Sequence, residues 1–298
     1  MILQDTVITA ERLTKDYGSG RGIFDLSINI RRGEIFGFLG TNGSGKTTTI
    51  RSLLGFIKPD SGSCSVLGMD SWSRSAEIMN YVSYIPGEIA FPSLPTGTAF
   101  LKTQAQFLGV DDYTFMNHVI KELKLDTSAD LKRMSKGMKQ KTAITAALMS
   151  EKEILILDEP TTGLDPLMRD SFLNLIRNEK AKGHTVLMSG HIFEEIETIC
   201  DRAAMIKDGR IIDITDLHEA KHNKDKQFII EFEDRQSAEK FSEKLPSEVN
   251  GSVCTVFIPA EKLQMMFQIL KQYKCVSLHE KHFSLEEHFM KTYEREVG

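Results

Sequence analysis

Eight residues constrain this chain more than any others: Gly40-Thr41-Asn42-Gly43-Ser44-Gly45-Lys46-Thr47. They fit the pattern GxxxxGK[ST], directly after the apolar run 35–39 and before a segment of helical period, which is the context that motif requires. Gly40, Gly43 and Gly45 permit backbone angles that let successive N–H groups converge on phosphate oxygens. The helix that opens near Lys46 points the positive end of its dipole at the same place. Lys46 supplies a mobile ammonium for the β- and γ-phosphates, and the hydroxyl of Thr47, followed by Thr48 in the same first turn, is a ligand for Mg²⁺. A loop of this kind needs a strand before it and a helix after it, so the chain must be built from alternating strands and helices.

The rest of the chain reads that way as far as about residue 215. Short runs rich in Val, Ile and Phe alternate with helical segments, the pattern of an α/β domain with a mostly parallel sheet. Strands are expected at 7–13, 35–39, 82–85, 154–157, 185–189 and 203–207. Between 92 and 150 the strand signal vanishes, and helices at 98–108, 113–123 and 136–149 form an expected helical insert. A polar stretch, DLHEAKHNKDK at 216–226, then marks a boundary. The division is accordingly a first domain over 1–220 and a small α+β accessory domain over 225–298. In the latter, strands at 228–232, 253–258 and 275–278 alternate with helices at 235–245, 260–273 and from Ser284. Met265 and Met266 in its second helix are read as core filling.

A second chemical signal follows the insert. Ile154-Leu155-Ile156-Leu157-Asp158-Glu159 is an apolar strand ending in two carboxylates, and strand carboxyl ends are where ligands bind in such sheets. Asp158 is assigned to the magnesium ion. Glu159 polarises the attacking water, because adjacent strand residues face opposite sides and need not compete for one ion.

Bulk properties narrow the partners. A net charge of −5 argues against a surface built to neutralise a phosphodiester backbone, so no nucleic-acid partner is expected. The longest apolar runs fall far short of the roughly 20 residues of a membrane-crossing helix. The opening MILQDTVITAER lacks a basic segment followed by a long apolar one, so a cytosolic location is expected. Cys64, Cys200, Cys254 and Cys275 are far apart with no CxxC pair, and are read as reduced, semi-buried thiols.

Further residues bring in a resemblance. Met134-Ser135-Lys136-Gly137-Met138, at the start of a predicted helix upstream of Asp158, is similar to the serine-glycine signature of ABC (ATP-binding cassette) ATPases, although the usual LSGGQ has Leu, Gly and Gln where Met134, Lys136 and Met138 stand. Gly163-Leu164-Asp165-Pro166 resembles that family's aspartate loop, Ser189-Gly190-His191 its switch histidine, and Tyr17 its adenine-stacking aromatic. The resemblance covers about residues 2–220 and implies a P-loop NTPase (RecA-like) fold, an ABC cassette. It further implies that Ser135 and Gly137 touch the γ-phosphate of a nucleotide held by a second cassette, and that His191 stabilises charge as water attacks. One position departs from the family: where a glutamine usually follows the strand around Tyr84, Gly87 and Glu88 stand. Either Glu88 substitutes, or the loop transmits without coordinating. Lys136 likewise either adds charge toward phosphate or points into solvent.

What the resemblance implies for function is an ATPase dependent on ATP and Mg²⁺, with Lys46, Glu159 and His191 in catalysis. Its expected partners are a second ATP-binding subunit and a separate transmembrane permease, with the chain peripheral on the inner face of the plasma membrane. The tail resembles the extension found on motor subunits of ABC-2 exporters. The alternative, a soluble ABC ATPase of translation or repair, usually carries two cassettes or a long coiled coil. The interval from Lys46 to Asp158 leaves no room for such an arm. A purely regulatory nucleotide binder would lack Glu159 or His191, and both are present.

Overall fold

The computed structural model describes residues 6–221, 225–281 and 283–295. Two compact units divide it: residues up to Asp216 together with the chain from Phe289 onward, and Leu217–His288. The division falls at the end of a strand, a few residues before the polar stretch suggests. Of that stretch, 222–224 lies outside the described residues, as do 1–5, 282 and 296–298 of the two domains drawn from the sequence.

The first unit opens with a hairpin, β1 (Thr6–Asp16) and β2 (Gly22–Arg31), followed by β3 (Ile35–Leu39) and α1 (Lys46–Leu53). Then come β4 (Ser61–Val66), β5 (Met69–Asp70), α2 (Ser75–Ile78) and β6 (Val82–Ile85). Three helices follow, α3 (Gly97–Leu108), α4 (Thr114–Glu122) and α5 (Lys136–Leu148). The chain then alternates through β7 (Ile154–Leu157), α6 (Pro166–Ala181), β8 (Thr185–Gly190), α7 (Phe193–Ile199), β9 (Arg202–Lys207) and β10 (Arg210–Asp216).

Two sheets share its core. The central sheet has the order β10-β9-β3-β8-β7-β6, in which every pairing is parallel except that of β10 with β9. All four residues of β7 are buried, because a strand covered on both faces needs an apolar run rather than alternation. At about 1.5–3 kcal/mol per fully buried aliphatic side chain, that run alone anchors the strand whose end carries the carboxylates. The second sheet, β2-β1-β4-β5, is antiparallel. In β2 the buried Leu26, Ile28 and Ile30 alternate with exposed residues, the mark of a half-covered strand. Its buried face shares one core with Phe36 and Phe38 of β3, Ile50 and Leu53 of α1, and Ile156 of β7.

This antiparallel layer is the main element that the sequence reading does not name beyond β1. The alternation of β2 is open to inspection, whereas β4 buries only Cys64 and Val66 and owes its conformation to its ladder with β1. The insert holds a separate small core of Phe100, Leu101, Ala105, Met116, Leu131 and Met134. Thr96 caps α3 by accepting from the Ala99 N–H at 3.2 Å.

The second unit contains α8 (Leu217–Lys221), β11 (Asp225–Phe232), α9 (Arg235–Lys244), β12 (Ser247–Asn250), β13 (Val253–Pro259), a short 3₁₀ turn at Ala260–Lys262, α10 (Leu263–Leu270) and β14 (Cys275–Lys281). The final helix, α11 (Leu285–Arg295), begins in this unit and groups with the first from Phe289. Its antiparallel sheet, β12-β13-β11-β14, buries Phe228, Ile230, Cys254 and Val256 against Phe241 of α9 and Met266 of α10. Met266 is fully buried but Met265 is 42% exposed. Successive helix positions lie about 100° apart, so only one of the two methionines fills the core. All four cysteines are free, with Cys64, Cys200 and Cys254 buried and Cys275 exposed.

Candidate functional site

Three neighbouring strands, β3, β8 and β7, run parallel and release their loops at the same edge of the sheet, where ligands bind in folds of this class. The loop after β3 turns through Gly43 (φ 82°) and Gly45 (φ 113°), conformations that a side chain would strain. At Gly45 a Cβ would also lie 2.8 Å from Cγ2 of Ile23. The loop folds back on itself, with the Ser44 N–H donating to the Thr41 carbonyl at 3.2 Å and Ser44's own carbonyl accepting from Gly209. Lys46 lies beneath it, only 4% exposed, its Nζ donating to the carbonyls of Gly40 (2.8 Å) and Thr41 (3.2 Å).

The loop after β7 divides its two carboxylates between different tasks. Asp158 is fully buried. It accepts from the Thr47 hydroxyl at Oδ2 (2.7 Å) and from the Ser189 hydroxyl at Oδ1 (2.6 Å), so one side chain ties all three strand ends together. Its negative charge, after burial itself, helps push the Tyr84 phenol above the usual range. Glu159 is turned away by its own backbone: at φ 49° it occupies the left-handed region. The two carboxylates diverge as expected, but through this strained turn just beyond β7 rather than through strand alternation. The Ser189 hydroxyl accepts the Glu159 N–H at 2.9 Å and helps hold that turn. Glu159 then faces the Lys46 ammonium (Nζ at 3.4 Å) and the His191 imidazole (Nδ1 at 3.6 Å), and accepts from the Thr162 hydroxyl at 3.3 Å. The His191 ring is half exposed.

Above these groups lies a cleft of about 280 Å³. Asn42, Gly43, Gly45, Lys46, Thr47, Thr48 and Glu159 form its floor and one wall, and Tyr17 stands at its mouth. Tyr17 is 48% exposed, and the Lys15 ammonium lies over its ring at 5.9 Å from the centroid. Its loop is pinned by the Tyr17 N–H to the Arg21 carbonyl (2.9 Å) and the Gly18 N–H to Asp16 Oδ1 (2.7 Å). Arg21 and Gly22 also line the cleft and were not foreseen. The signal for them is their place in the turn after Tyr17. Gly40, Thr41 and Ser44 belong to the loop but are not among the residues lining the cleft: the carbonyls of Gly40 and Thr41 hold Lys46, and that of Ser44 accepts from Gly209. In the sequence Ser189 stands out only as the neighbour of His191, and its two hydrogen bonds, donated to Asp158 and accepted from the Glu159 N–H, are visible only in three dimensions.

Ser135 and Gly137 are not among the residues lining this cleft. Ser135 caps α5, accepting from the Met138 N–H at 3.2 Å, and Gly137 backs onto Gly163, whose carbonyl would be 2.7 Å from a Cβ at 137. Lys136 is exposed, and its side chain lies over Gly163. Gly87 adjoins the acidic centre: a Cβ there would be 3.3 Å from Asp158 Oδ2. Glu88 lines a separate cleft of about 310 Å³ with Lys136, Lys139 and Gln140. Among the described residues no group of three or more His, Cys, Asp or Glu side chains could hold a metal alone, and no helix is long and apolar enough to cross a membrane.

Comparison with known proteins gives the same picture. The family model described as ABC transporter matches residues 23–162. The bacitracin transport ATP-binding protein BcrA of Bacillus licheniformis is 35% identical over 78% of this chain and 77% of its own length. The Nod factor export ATP-binding protein I of Burkholderia pseudomallei is 35% identical over 69% of each. A solved ATP-binding subunit of an ABC transporter superposes with a TM-score of 0.66 at 29% identity, covering 72% of this chain and 92% of that one. A phosphate loop and an acidic strand end lining one cleft, with a histidine strand end 3.6 Å from Glu159, together with these likenesses, place the chain in the ABC transporter family as an ATP-binding, ATP-hydrolysing cassette.

Proposed function

We propose that this chain hydrolyses ATP to power export through a separate membrane-spanning permease, working as a pair of cassettes on the inner face of the plasma membrane. The name of the Nod factor relative, an export protein, supports the direction, and that of the bacitracin relative supports transport. The observation that carries the pairing is the distance between function and position in the signature segment. Ser135 and Gly137 open a 13-residue helix whose first amides have no intrahelical acceptor, yet they line no part of their own chain's cleft. A phosphate supplied by a second copy satisfies them.

Within one cleft the division of labour follows from geometry. Tyr17 stacks on the base, while the amides of Gly43, Gly45, Lys46 and Thr47 and the ammonium of Lys46 take the phosphates. Among the described residues lining the cleft Glu159 is the only carboxylate, and it orients and deprotonates water. His191, beside it, stabilises the charge that develops on the γ-phosphate. The residues present fit magnesium: the hydroxyl of Thr47 and the carboxylate of Asp158 are hard oxygen donors 2.7 Å apart, and Gly87 leaves the space beside Asp158 clear of side chain. Thr47 and Asp158 would hold the ion, which neutralises phosphate charge during transfer. With no side chain at 87, the loop carrying Glu88 transmits without coordinating.

The test is isolation of the tagged full chain from membranes of its native host. Recovery with a multi-span protein, released or retained according to nucleotide, is the expected result. A chain that fractionates away from membranes and brings down no multi-span partner would remove the transport reading.

A further inference from the structure

One buried charge takes no part in the chemistry described above. Glu195 lies in α7 and is 8% exposed. Its Oε2 accepts from the Thr161 hydroxyl at 2.7 Å, and its Oε1, 3.7 Å from Arg169 Nε, has no hydrogen-bond partner. Arg169 spends its Nε–H on the Leu164 carbonyl at 3.1 Å. Burial pushes the Glu195 carboxyl above its usual range, against the opposing pull of Thr161, Arg169 and His191. An ionisable group is seldom kept out of water with so few partners unless its position matters.

Its position is informative. Thr161 is two residues beyond Glu159 in a segment that must hold the left-handed turn at Glu159, and Thr162 in the same segment bonds both the Glu159 carbonyl and its carboxylate. Glu195 itself is four residues beyond His191, in the first turn of α7, where the Ile196 N–H reaches back to Ile192. The bond from Thr161 to Glu195 is therefore a cross-tie between the segment that carries Glu159 and the segment that carries His191. Arg169, at the start of α6, extends the tie to the loop 163–165 that lies against Gly137.

We propose that Glu195 is a positioning residue: by accepting from Thr161 it sets the approach of Glu159 to His191, and so acts on hydrolysis rather than on nucleotide binding. This rests on the reading of Glu159 and His191 as the groups that act on water and phosphate. The acceptor oxygen, not the charge, carries the role, because the nearer contact is the 2.7 Å hydrogen bond and the Arg169 contact is too long to be one.

The full chain is assayed for phosphate release, with nucleotide affinity measured separately by titration of a fluorescent ATP analogue. Glu195→Ala and Thr161→Val should each lower kcat by about tenfold while the affinity stays within about twofold, since the cleft floor is untouched. The double variant should be no slower than either single one, as expected of two ends of one bond. Glu195→Gln, which retains an acceptor for Thr161, should recover most of the rate, and so should Thr161→Ser. Glu195→Gln as slow as Glu195→Ala, fully multiplicative single effects, or an affinity loss equal to the loss of rate would each overturn the proposal. If Glu195→Ala does not fold, the Thr161 pair decides alone: Thr161→Ser as slow as Thr161→Val overturns it. Glu159→Gln and His191→Ala are run alongside. Rapid hydrolysis by those two would indict the site reading itself, whereas slow hydrolysis by them beside an unaffected Glu195→Ala would sink only the cross-tie.

Discussion

The phosphate loop and the signature segment are both helix starts, yet they are finished to different degrees. At the start of α1 every group has an assigned place within one chain: Lys46 under the loop, Thr47 on Asp158, Glu159 between Lys46 and His191. At the start of α5 the chain supplies a cap, a bare glycine and an exposed lysine, packed against its own Gly163 and away from its own cleft. The first is a complete nucleotide floor. The second is a lid for a floor that the same chain does not place beneath it. On the proposed reading, such a cassette binds nucleotide alone and turns it over only when two copies supply each other's missing half.

That contrast can be broken most directly at Glu159. Glu159→Gln keeps the size and hydrogen bonding of the side chain and should slow phosphate release by roughly a hundredfold or more, the lower end of what a general base contributes. Binding should survive, so ATP should accumulate a dimer visible by size-exclusion chromatography, at concentrations where the parent chain elutes as a monomer. Slow hydrolysis without any dimer would undo the two-copy site. Lys46→Ala tests the floor: losing charge-assisted contacts worth about 1.5–3 kcal/mol each should weaken ATP affinity about a hundredfold, and unchanged affinity by titration would remove the phosphate-loop assignment.

Ser135→Ala sharpens the difference from the other side. It should leave the affinity of the isolated chain intact and reduce hydrolysis about tenfold, with a stability loss of about 1 kcal/mol from the vanished cap, read as a lower melting temperature. Equal losses of affinity and rate would mean that the segment acts on its own chain's cleft. The smallest effect belongs to deletion of residues 225–298. Every residue lining the cleft precedes that point, so affinity should stay within about twofold, although the melting temperature should fall because the end of α11 groups with the first unit.

Much of this was legible before any coordinates. The strands at 35–39, 82–85 and 154–157 match β3, β6 and β7 residue for residue; β3 and β7, buried at every position, show the unbroken run without polar residues of a strand covered on both faces, cut off sharply by the polar loop it feeds. The motif residues were named for the same reason: phosphate chemistry permits few side chains at few spacings. Ser135 as the cap of α5 follows from local hydrogen bonding alone. In the second unit the sequence distinguished strands from helices, yet it did not tell Met265 from Met266, since which face of α10 is covered depends on where the sheet lies.

Sequence by itself singled out the residues proposed to meet phosphate, and tertiary structure decided how those groups are held. That Ser189 joins Asp158 to Glu159, that Arg21 borders the cleft, and that Glu195 ties the two catalytic segments together are relations between residues far apart in the chain. So is the antiparallel sheet, where β4 becomes a strand by pairing with β1 rather than by its own composition. Local patterns encode period, caps and turns, which act over a few residues. Long-range contacts are selected by how whole elements bury their faces together, and no window of sequence contains that choice.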